Sequence, residues 1–460
     1  MHRYGRPSPF FVLLVLLFGV LWFTGGSSRA DVPGQIPVQL TSWTVLVIAI
    51  ILAPRPARDT RDPFLLLAAI ALVPLVQLIP LPPVLWQMLP GHAGLAEAAR
   101  LTGQHQPWRP IAVIPGSTLN AAFSLATPAA ILLLLGAFDE KARAWLPGLI
   151  VVLAVATSLV GLMQFSGNRF DQPLIGYRYD VSGIFGNRNH FALFLAVGCL
   201  AVPVWALGNR KGPGWRGAVA LGLPVLLVLT VLASGSRAGT AAIVLALVLG
   251  PLAVRENIRR LLAGLPRWTA PALIASALLL VTASVAVSFT SGRADSINRA
   301  MGGQVTEDMR ARALPTVLTI TRDYFPVGIG IGGFDPVFRR YEPFDLLKPT
   351  YFNQAHDDLL AALLEGGLLG LLVLVAAIIW WLRSSFIVWR SIGRHDDALG
   401  PIIRARFGSA ALGLIFGASL VDYPARAPLT AATIAVVAAL LAWGKAARRM
   451  PSLPSAERRI

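Results

Sequence analysis

The sequence predicts an all-α polytopic membrane protein. Of its 460 residues, 55% are hydrophobic and only 14% are charged, whereas about a quarter of the residues of a soluble domain are charged. Mean hydropathy is +0.65. Apolar runs of about 20 residues, the length that an α-helix needs to cross a bilayer, recur along the whole chain. No large polar segment is left over, so we expect one integral membrane domain over residues 1–460.

The apolar runs predict about twelve transmembrane helices. They lie at residues 9–25, 38–53, 64–82, 119–137, 146–164, 190–207, 217–234, 239–254, 269–290, 362–382, 407–421 and 428–444. If the end with Arg3 and Arg6 is cytoplasmic, every short cytoplasmic loop carries Lys or Arg, as the positive-inside rule requires. We therefore expect both termini in the cytoplasm and three long segments on the outer face, 83–118, 165–189 and 291–361.

The first apolar run has two interpretations. Ser28-Arg29-Ala30 resembles a small-residue cleavage site, which would make residues 9–25 a signal peptide that is removed. We favour an uncleaved helix, because eleven further spans then give the even total that keeps the C-terminal tail inside.

The longest outer segment, 291–361, is where we expect part of a functional site. Its stretch from Glu307 to Tyr324 predicts an amphipathic helix at the membrane surface. GIGIGGF, residues 328–334, superficially resembles a nucleotide-binding loop, but it follows no predicted strand and opens no evident helix. We therefore expect a tight turn that shapes a pocket, and no nucleotide cofactor.

The charge and cysteine content narrow the possible partners. The net charge is +17, but the chain contains no basic helix or aromatic RNA-binding motif, so we expect no nucleic-acid partner. Membrane lipids with anionic headgroups, and diphosphates, are the expected partners.

The single cysteine, Cys199, lies in an apolar run and provides neither a disulfide framework nor a thiolate metal site. No array of His, Cys and Asp has metal-ligand spacing, so we expect no metal.

Cationic and titratable residues occur at the outer ends of predicted helices. Arg237 lies in the turn SGSRAG, Arg310 and Arg312 lie in VTEDMRAR, and His356 lies in QAHDD. Guanidinium groups bind phosphate oxygens as planar forks, and an imidazole accepts a proton near neutral pH. This combination suits the transfer of a group away from a diphosphate, with His356 deprotonating an incoming hydroxyl. The alternative for Arg237 is that it only snorkels to lipid headgroups.

A second polar patch precedes another span. GIFGNRNHFALFL, residues 183–195, contains Asn187, Asn189 and His190. These residues either cap the following helix and anchor it at the interface, or bind a sugar and position the helix.

Two further acidic positions have structural alternatives. Asp357 either orients His356 or caps the helix that follows it. In VDYPARAP, residues 421–428, we expect Asp422 and Arg426 to form a local ion pair with a structural role.

The chain resembles the O-antigen ligase and polymerase superfamily from about the 70s to the 430s. The resemblance rests, in order, on GIFGNRNHFA, SGSRAG, EDMR, FPVGIGIGGF, YFNQAHDDLLAALLEGGLLG and VDYPAR. It implies a GT-C-type architecture in the bacterial inner membrane, with an active site that faces the periplasm. It also implies a metal-independent, inverting transfer of a glycan from an undecaprenyl-diphosphate donor to an acceptor hydroxyl. The acceptor is lipid A-core oligosaccharide in the ligases and a second lipid-linked glycan in the polymerases, and both remain open.

The resemblance further implies residue roles. The family's loop histidine matches His356, which would be the general base. Its arginines match Arg237 and Arg310, which would bind the diphosphate, and Arg312 on the same stretch is the alternative to Arg310. The family's usual Asn after the histidine is Asp357 here, which leaves the role of this position open.

A transporter or flippase for lipid-linked glycans is a third possibility. Such a protein is expected to carry its intramembrane charges near the middle of its spans. The notable charges here lie at outer helix ends instead, which favours the enzyme.

Overall fold

In the computed structural model, the described residues are 8–54, 56, 58–167, 172–176, 181–208, 214–264, 266, 268, 304–347, 354–391 and 399–447, and nearly all of their regular structure is helical. The helices are α1 (Pro9–Thr24), α2 (Gln35–Leu52), α3 (Arg61–Gln77), α4 (Pro83–Trp86), α5 (Ala93–Leu101), α6 (Pro115–Ser124), α7 (Ala126–Gly136), α8 (Glu140–Phe165), α9 (Arg188–Leu207), α10 (Gly214–Ser234), α11 (Arg237–Ala253), α12 (Arg255–Leu262), α13 (Gln304–Tyr324), α14 (Phe334–Tyr341), α15 (Asp358–Trp389), α16 (Leu399–Ser419) and α17 (Pro428–Ala447). Short 3₁₀ turns lie at Arg58–Thr60, Phe344–Leu346 and Pro424–Arg426. Two short strands, β1 (Pro80–Leu81) and β2 (Arg109–Pro110), pair antiparallel.

The long apolar helices confirm an all-α polytopic membrane protein. Among the described residues, eight helices are long and apolar enough to cross a bilayer when α6 and α7 are counted as one, and the pair α11 and α12, bent by 66°, raises this number to nine. Of the twelve predicted runs, eleven coincide with helices, and the run 269–290 lies outside the described residues. An apolar helix forms its backbone hydrogen bonds internally, which a segment in hydrocarbon requires.

The helix α9 lies at the centre of the bundle. It packs against α8, α10, α11 and α16, and most of its side chains are buried. Small residues permit this close packing: a Cβ added to Gly198 would lie 2.2 Å from the Cβ of Ala154, and one added to Gly239 would lie 2.1 Å from the Cβ of Ala192. Close approach of small residues is the usual way in which membrane helices associate.

The helix α1 is part of the same core. Leu14, Leu17 and Leu21 are fully buried against the neighbouring helices. The carbonyl of Gly25, just after α1, accepts a hydrogen bond of 3.0 Å from the backbone N–H of Leu429 at the start of α17. The first apolar run therefore packs as a helix of the folded bundle.

The bundle has two ends with different roles. We call the end at which α9, α11, α15 and α17 begin the polar end, and the other the far end. At the far end, ion pairs join elements that are far apart in the chain. They are Arg143 with Asp59, Arg404 with Glu140, Arg406 with Glu256, and Lys445 with Asp62. The Glu256 carboxylate neutralises the charge of the fully buried Arg406, which also donates to the carbonyl of Ser391 over 2.7 Å.

A second, smaller hydrophobic core covers part of the polar end. The predicted helix over 307–324 is present as α13, and it packs with α14 around Val317, Phe334 and Phe338. Leu364 of α15 belongs to this core, and Ala355 packs against it. The helices of the long segment therefore hold the turn that contains His356.

Candidate active site

Asp422 lies at the centre of the polar end. Its side chain is 2% exposed and accepts hydrogen bonds from the Nδ2 atoms of Asn189 and Asn187 over 2.7 and 3.1 Å. Two imidazoles face the same oxygen: His190 Nε2 lies 3.6 Å from Asp422 Oδ1, and His356 Nδ1 lies 3.8 Å from it. These five side chains, which we call the Asp422 cluster, come from α9, from the turn before α15 and from the turn between α16 and α17.

The pKa of the Asp422 carboxyl lies well below its usual range. Burial by itself would raise this pKa, but the imidazoles of His190 and His356 and the amide of Asn189 outweigh it. Asp422 is therefore ionised at neutral pH. An ionised carboxylate beside His356 holds the ring and stabilises its protonated form.

The two asparagines of the cluster have different roles: Asn187 caps a helix, and Asn189 continues the hydrogen bonding to Ser236. Asn187 Oδ1 caps α9 by accepting from the backbone N–H of Asn189 over 2.8 Å. Asn189 Oδ1 accepts from Ser236 Oγ over 2.8 Å, and Ser236 Oγ in turn caps α11 by accepting from the Gly239 N–H over 3.0 Å. A chain of hydrogen bonds thus runs from Asp422 to the residue that precedes Arg237.

His356 has a left-handed backbone. Its φ is +55°, a conformation that residues other than glycine rarely adopt and that often occurs at functional sites. Its ring packs edge-on against Tyr423, with 4.9 Å between the ring centroids. Asp357 caps α15, because its Oδ1 accepts from the backbone N–H groups of Leu359 and Leu360. The carboxylate that faces His356 is therefore that of Asp422.

Arg426 does not form the expected local ion pair with Asp422. It donates instead to Glu365 Oε2 over 2.9 Å, and Glu365 is 1% exposed. The same oxygen accepts from the backbone N–H of Gly332 over 3.0 Å. The sequence suggested a short-range pair because the two residues are close along the chain. A buried acid within α15 requires a cationic partner, and the fold supplies Arg426.

The glycine-rich segment 328–333 caps a break in α15. At Gly367 the backbone leaves the helical region, with φ 62° and ψ −152°. The carbonyls of Leu364 and Glu365 then accept from the N–H groups of Ile329 and Gly330, each over 3.0 Å. These bonds replace the partners that a helix end otherwise lacks.

Gln77, at the end of α3, completes this arrangement. Its Oε1 accepts from the Ile331 N–H over 3.0 Å, and its Nε2 donates to the Glu365 carbonyl over 2.8 Å. Four successive N–H groups of the segment, from Ile329 to Gly332, are therefore bonded within the protein. This supports a structural turn rather than a nucleotide loop, whose N–H groups point at phosphates.

The arginines predicted to bind a diphosphate differ in position. Arg237 is the first residue of α11 and is exposed. Beside it lies a recess, which we call the first recess, lined by Asn189, His190, Leu193, Ala238, Gly239, Ala418, Asp422 and Pro424. Arg312 on α13 donates to Asp345 Oδ2 over 2.7 Å. Arg310 lies in α13, but its side chain is outside the described residues.

Within the described part of the chain, no group of three or more His, Cys, Asp or Glu is arranged to hold a metal ion. The polar end carries, among other polar groups, the Asp422 cluster, Arg237, and the pair of Arg426 and Glu365.

Fold and site together define a multi-pass membrane protein with a polar cluster where its helices begin. Residues 222–375, about a third of the chain, match the family model described as O-Antigen ligase, which supports the resemblance that the motifs predicted. At the level of the family, the match supports ligase- or polymerase-type glycosyltransferase activity on lipid-linked glycans. The matched residues include Arg237 and His356, whereas Asp422 lies outside them. No curated protein matches the sequence.

The sequence did not indicate Asp422 as the centre of the site, nor Glu365 and Gln77 as parts of it. It also missed Ser236 and Tyr423, which contact Asn189 and His356. A signal for Glu365 exists, because an acid within a run as apolar as LLAALLEGGLLG requires a buried partner. A signal for Asp422 is weaker, since an acid in a short turn is usually solvated. Its partners come from segments more than 60 residues away, which no local pattern reveals.

The Glu365 to Arg426 pair predicts a specific loss of stability. Glu365→Ala removes the carboxylate from a partly buried arginine and from the Gly332 N–H, and we expect the folded state to lose about 3 kcal/mol. Thermal unfolding of the purified protein in detergent measures this. The matched control is Glu97→Ala, which breaks an exposed pair with Arg100 and should leave stability nearly unchanged, because solvent screens the pair. Equal effects of the two substitutions would contradict the role of Glu365.

Proposed function

We propose that this protein is an O-antigen ligase that transfers a glycan from an undecaprenyl-diphosphate donor to a sugar hydroxyl of lipid A-core. The reaction takes place on the periplasmic face of the bacterial inner membrane, without metal and with inversion, in a GT-C-type bundle. The observation that carries the proposal is the ionised, buried Asp422 beside His356, at a helix start that borders the membrane. The polyprenyl chain of the donor lies in the bilayer there, and its diphosphate and sugars lie at the surface.

In the proposed reaction, His356 is the general base. It takes the proton of the acceptor hydroxyl while the hydroxyl oxygen attacks the anomeric carbon of the donor sugar. The bond between that carbon and the diphosphate oxygen breaks, and the electron pair leaves with undecaprenyl diphosphate. Asp422 stabilises the imidazolium that forms, since its charge is 3.8 Å away.

Arg237 is the proposed ligand of the leaving diphosphate. It begins α11, and an α-helix presents unpaired N–H groups and a partial positive charge at its N-terminus. The first recess lies between this helix start and Asp422, which is the place that a donor sugar attached to the diphosphate would take. Of the two arginines on α13, Arg312 contacts Asp345, and we keep Arg310 as the second diphosphate ligand.

A polymerase that uses a second lipid-linked glycan as acceptor is the alternative function. The family match covers both reaction types, and the chemistry at His356 and Asp422 is the same in both. The two functions differ only in the molecule that presents the hydroxyl.

Transfer by the purified protein tests the function. The protein is incubated with a lipid-linked glycan and either lipid A-core or no further acceptor, and the products are separated by mass. Glycosylated lipid A-core identifies a ligase, and longer lipid-linked chains identify a polymerase. No product in either reaction would overturn both proposals.

The variant His356→Ala should lower the transfer rate by about 10²–10⁴-fold, because the general base is lost. The matched control is His105→Ala, which removes an exposed histidine of the segment between α5 and α6 and should leave the rate unchanged. A normal rate for His356→Ala would exclude the base role.

Arg237→Ala should raise the KM for the lipid-linked donor, and Arg237→Lys should restore it only in part. A lysine keeps the charge but cannot form the two parallel hydrogen bonds of a guanidinium with a diphosphate. Donor titrations of the transfer reaction measure this, with Arg100→Lys as the control at an exposed ion pair. Full activity of Arg237→Lys would show that a point charge is sufficient.

Reporter fusions test which face of the membrane the polar end occupies. A fusion after Gly103, in the segment between α5 and α6, should be periplasmic. A fusion after Asp139, between α7 and α8, should be cytoplasmic, because the two loops lie at opposite ends of the bundle. The reversed pattern would place the Asp422 cluster in the cytoplasm, where the proposed donor glycan is not exposed.

A further inference from the structure

A second recess borders the Asp422 cluster, and the residue roles proposed above do not use it. It is lined by the loop between α1 and α2, by the residues before α9 and by Tyr423. The side chains that matter here are those of Ser27, Ser28, Arg29, Asn187, His190 and Tyr423. His190 lines this recess as well as the first one, so the two recesses meet at His190.

The state of His190 indicates that the second recess is a binding site. The side chain is 1% exposed. Its Nε2 faces the Asp422 carboxylate at 3.6 Å from Oδ1, so Nδ1 is the ring nitrogen that lacks a partner among the described residues. Buried polar groups are nearly always hydrogen-bonded in folded proteins. A ligand that offers a hydroxyl to this imidazole would supply the missing bond.

The chemistry of the lining fits a sugar. Ser28 and Asn187 provide hydroxyl and amide groups, which donate and accept hydrogen bonds. Arg29 donates through Nε to Asp31 Oδ1 over 2.9 Å, and this pair has no net charge. The recess therefore offers several hydrogen-bonding groups without the excess positive charge that a second diphosphate would require.

The position of the recess fits a membrane-anchored molecule. Its loop connects α1 and α2, and the exposed side chains of Phe23 and Ile36 flank this loop on those two helices. These apolar side chains face the lipid in a membrane. A glycolipid can therefore keep its acyl or polyprenyl chains in the bilayer while its sugar enters the recess from the side.

We propose that the second recess binds the sugar of the acceptor, opposite the donor in the first recess. Tyr423 lines the second recess and its ring contacts the ring of His356, so this side chain joins the recess to the general base. The inference rests on the proposed glycosyl transfer and adds the place of the acceptor. Both candidate acceptors, lipid A-core and a second lipid-linked glycan, present the same group, a sugar hydroxyl on a lipid anchor.

Two substitutions test the site in different ways. Arg29→Ala removes the Arg29 to Asp31 pair, and Ser28→Trp fills the recess with a large side chain. The matched control is Arg100→Ala, because Arg100 forms a similar exposed fork with Glu97. Gel filtration of each full-length variant in detergent shows whether it folds as the wild type does.

Steady-state transfer by these variants separates acceptor binding from donor binding. We expect Arg29→Ala and Ser28→Trp to raise the KM for the acceptor about tenfold or more, with the KM for the donor unchanged. The first removes a hydrogen-bonding side chain from the lining, and the second fills the recess. Arg100→Ala should change neither value. Lipid A-core and a lipid-linked repeat unit are titrated in separate reactions, and the acceptor whose KM rises is the one that the recess binds. Unchanged acceptor KM values, or an equal rise for the donor, would overturn the proposal.

A binding measurement separates failure of this inference from failure of the proposed function. In the His356→Ala background, which should not turn over, Arg29→Ala should weaken binding of the acceptor about tenfold and Arg100→Ala should not. If Arg29→Ala and Arg100→Ala bound the acceptor equally well, the proposed acceptor site would be wrong. If the wild type transfers nothing while the difference in binding persists, the proposed reaction is wrong and the glycolipid site remains.

Discussion

A carboxylate buried at the end of a membrane-embedded helix bundle must find hydrogen-bond donors or positive charge inside the protein, and this requirement organises the polar end. Asp422 meets it with two asparagine amides and two imidazoles from two distant parts of the chain. The interaction with the Asp422 carboxylate helps to hold each of these side chains in position. The same arrangement leaves His356 beside an ionised partner, which is what a general base requires.

The positions of these groups follow from how helices begin and end. Asn187, Ser236 and Asp357 each cap a helix at the polar end, so local backbone hydrogen bonding and the geometry of the site are set by the same side chains. The break in α15 at Gly367 has a similar effect, because the exposed carbonyls recruit the glycine-rich segment. That segment is held between α3 and α15 and links the small second core to the bundle. The pair of Glu365 and Arg426 then joins the segment to the turn of Asp422.

Several features of the site were predictable because they depend on short stretches of sequence. The polar residues Asn187, Asn189 and His190 precede an apolar run, and Asp357 precedes another, which predicts caps at helix starts. The expected pair of Asp422 and Arg426 was wrong, because closeness along the chain was the only available guide to their partners. The true partners lie in other helices, and burial rather than sequence distance selects them.

The sequence by itself determined the class of protein and the positions of eleven of the described helices, because the hydrophobic length that spans a bilayer is a local property. It also singled out His356 and Arg237, since polar residues at the ends of apolar runs stand out from their surroundings. Only the tertiary structure decided that Asp422 is the centre of the cluster, that Glu365 binds Arg426, and that two recesses meet at His190. These features depend on which helix ends lie together, and helix packing depends on contacts between small and apolar side chains that are far apart in the chain.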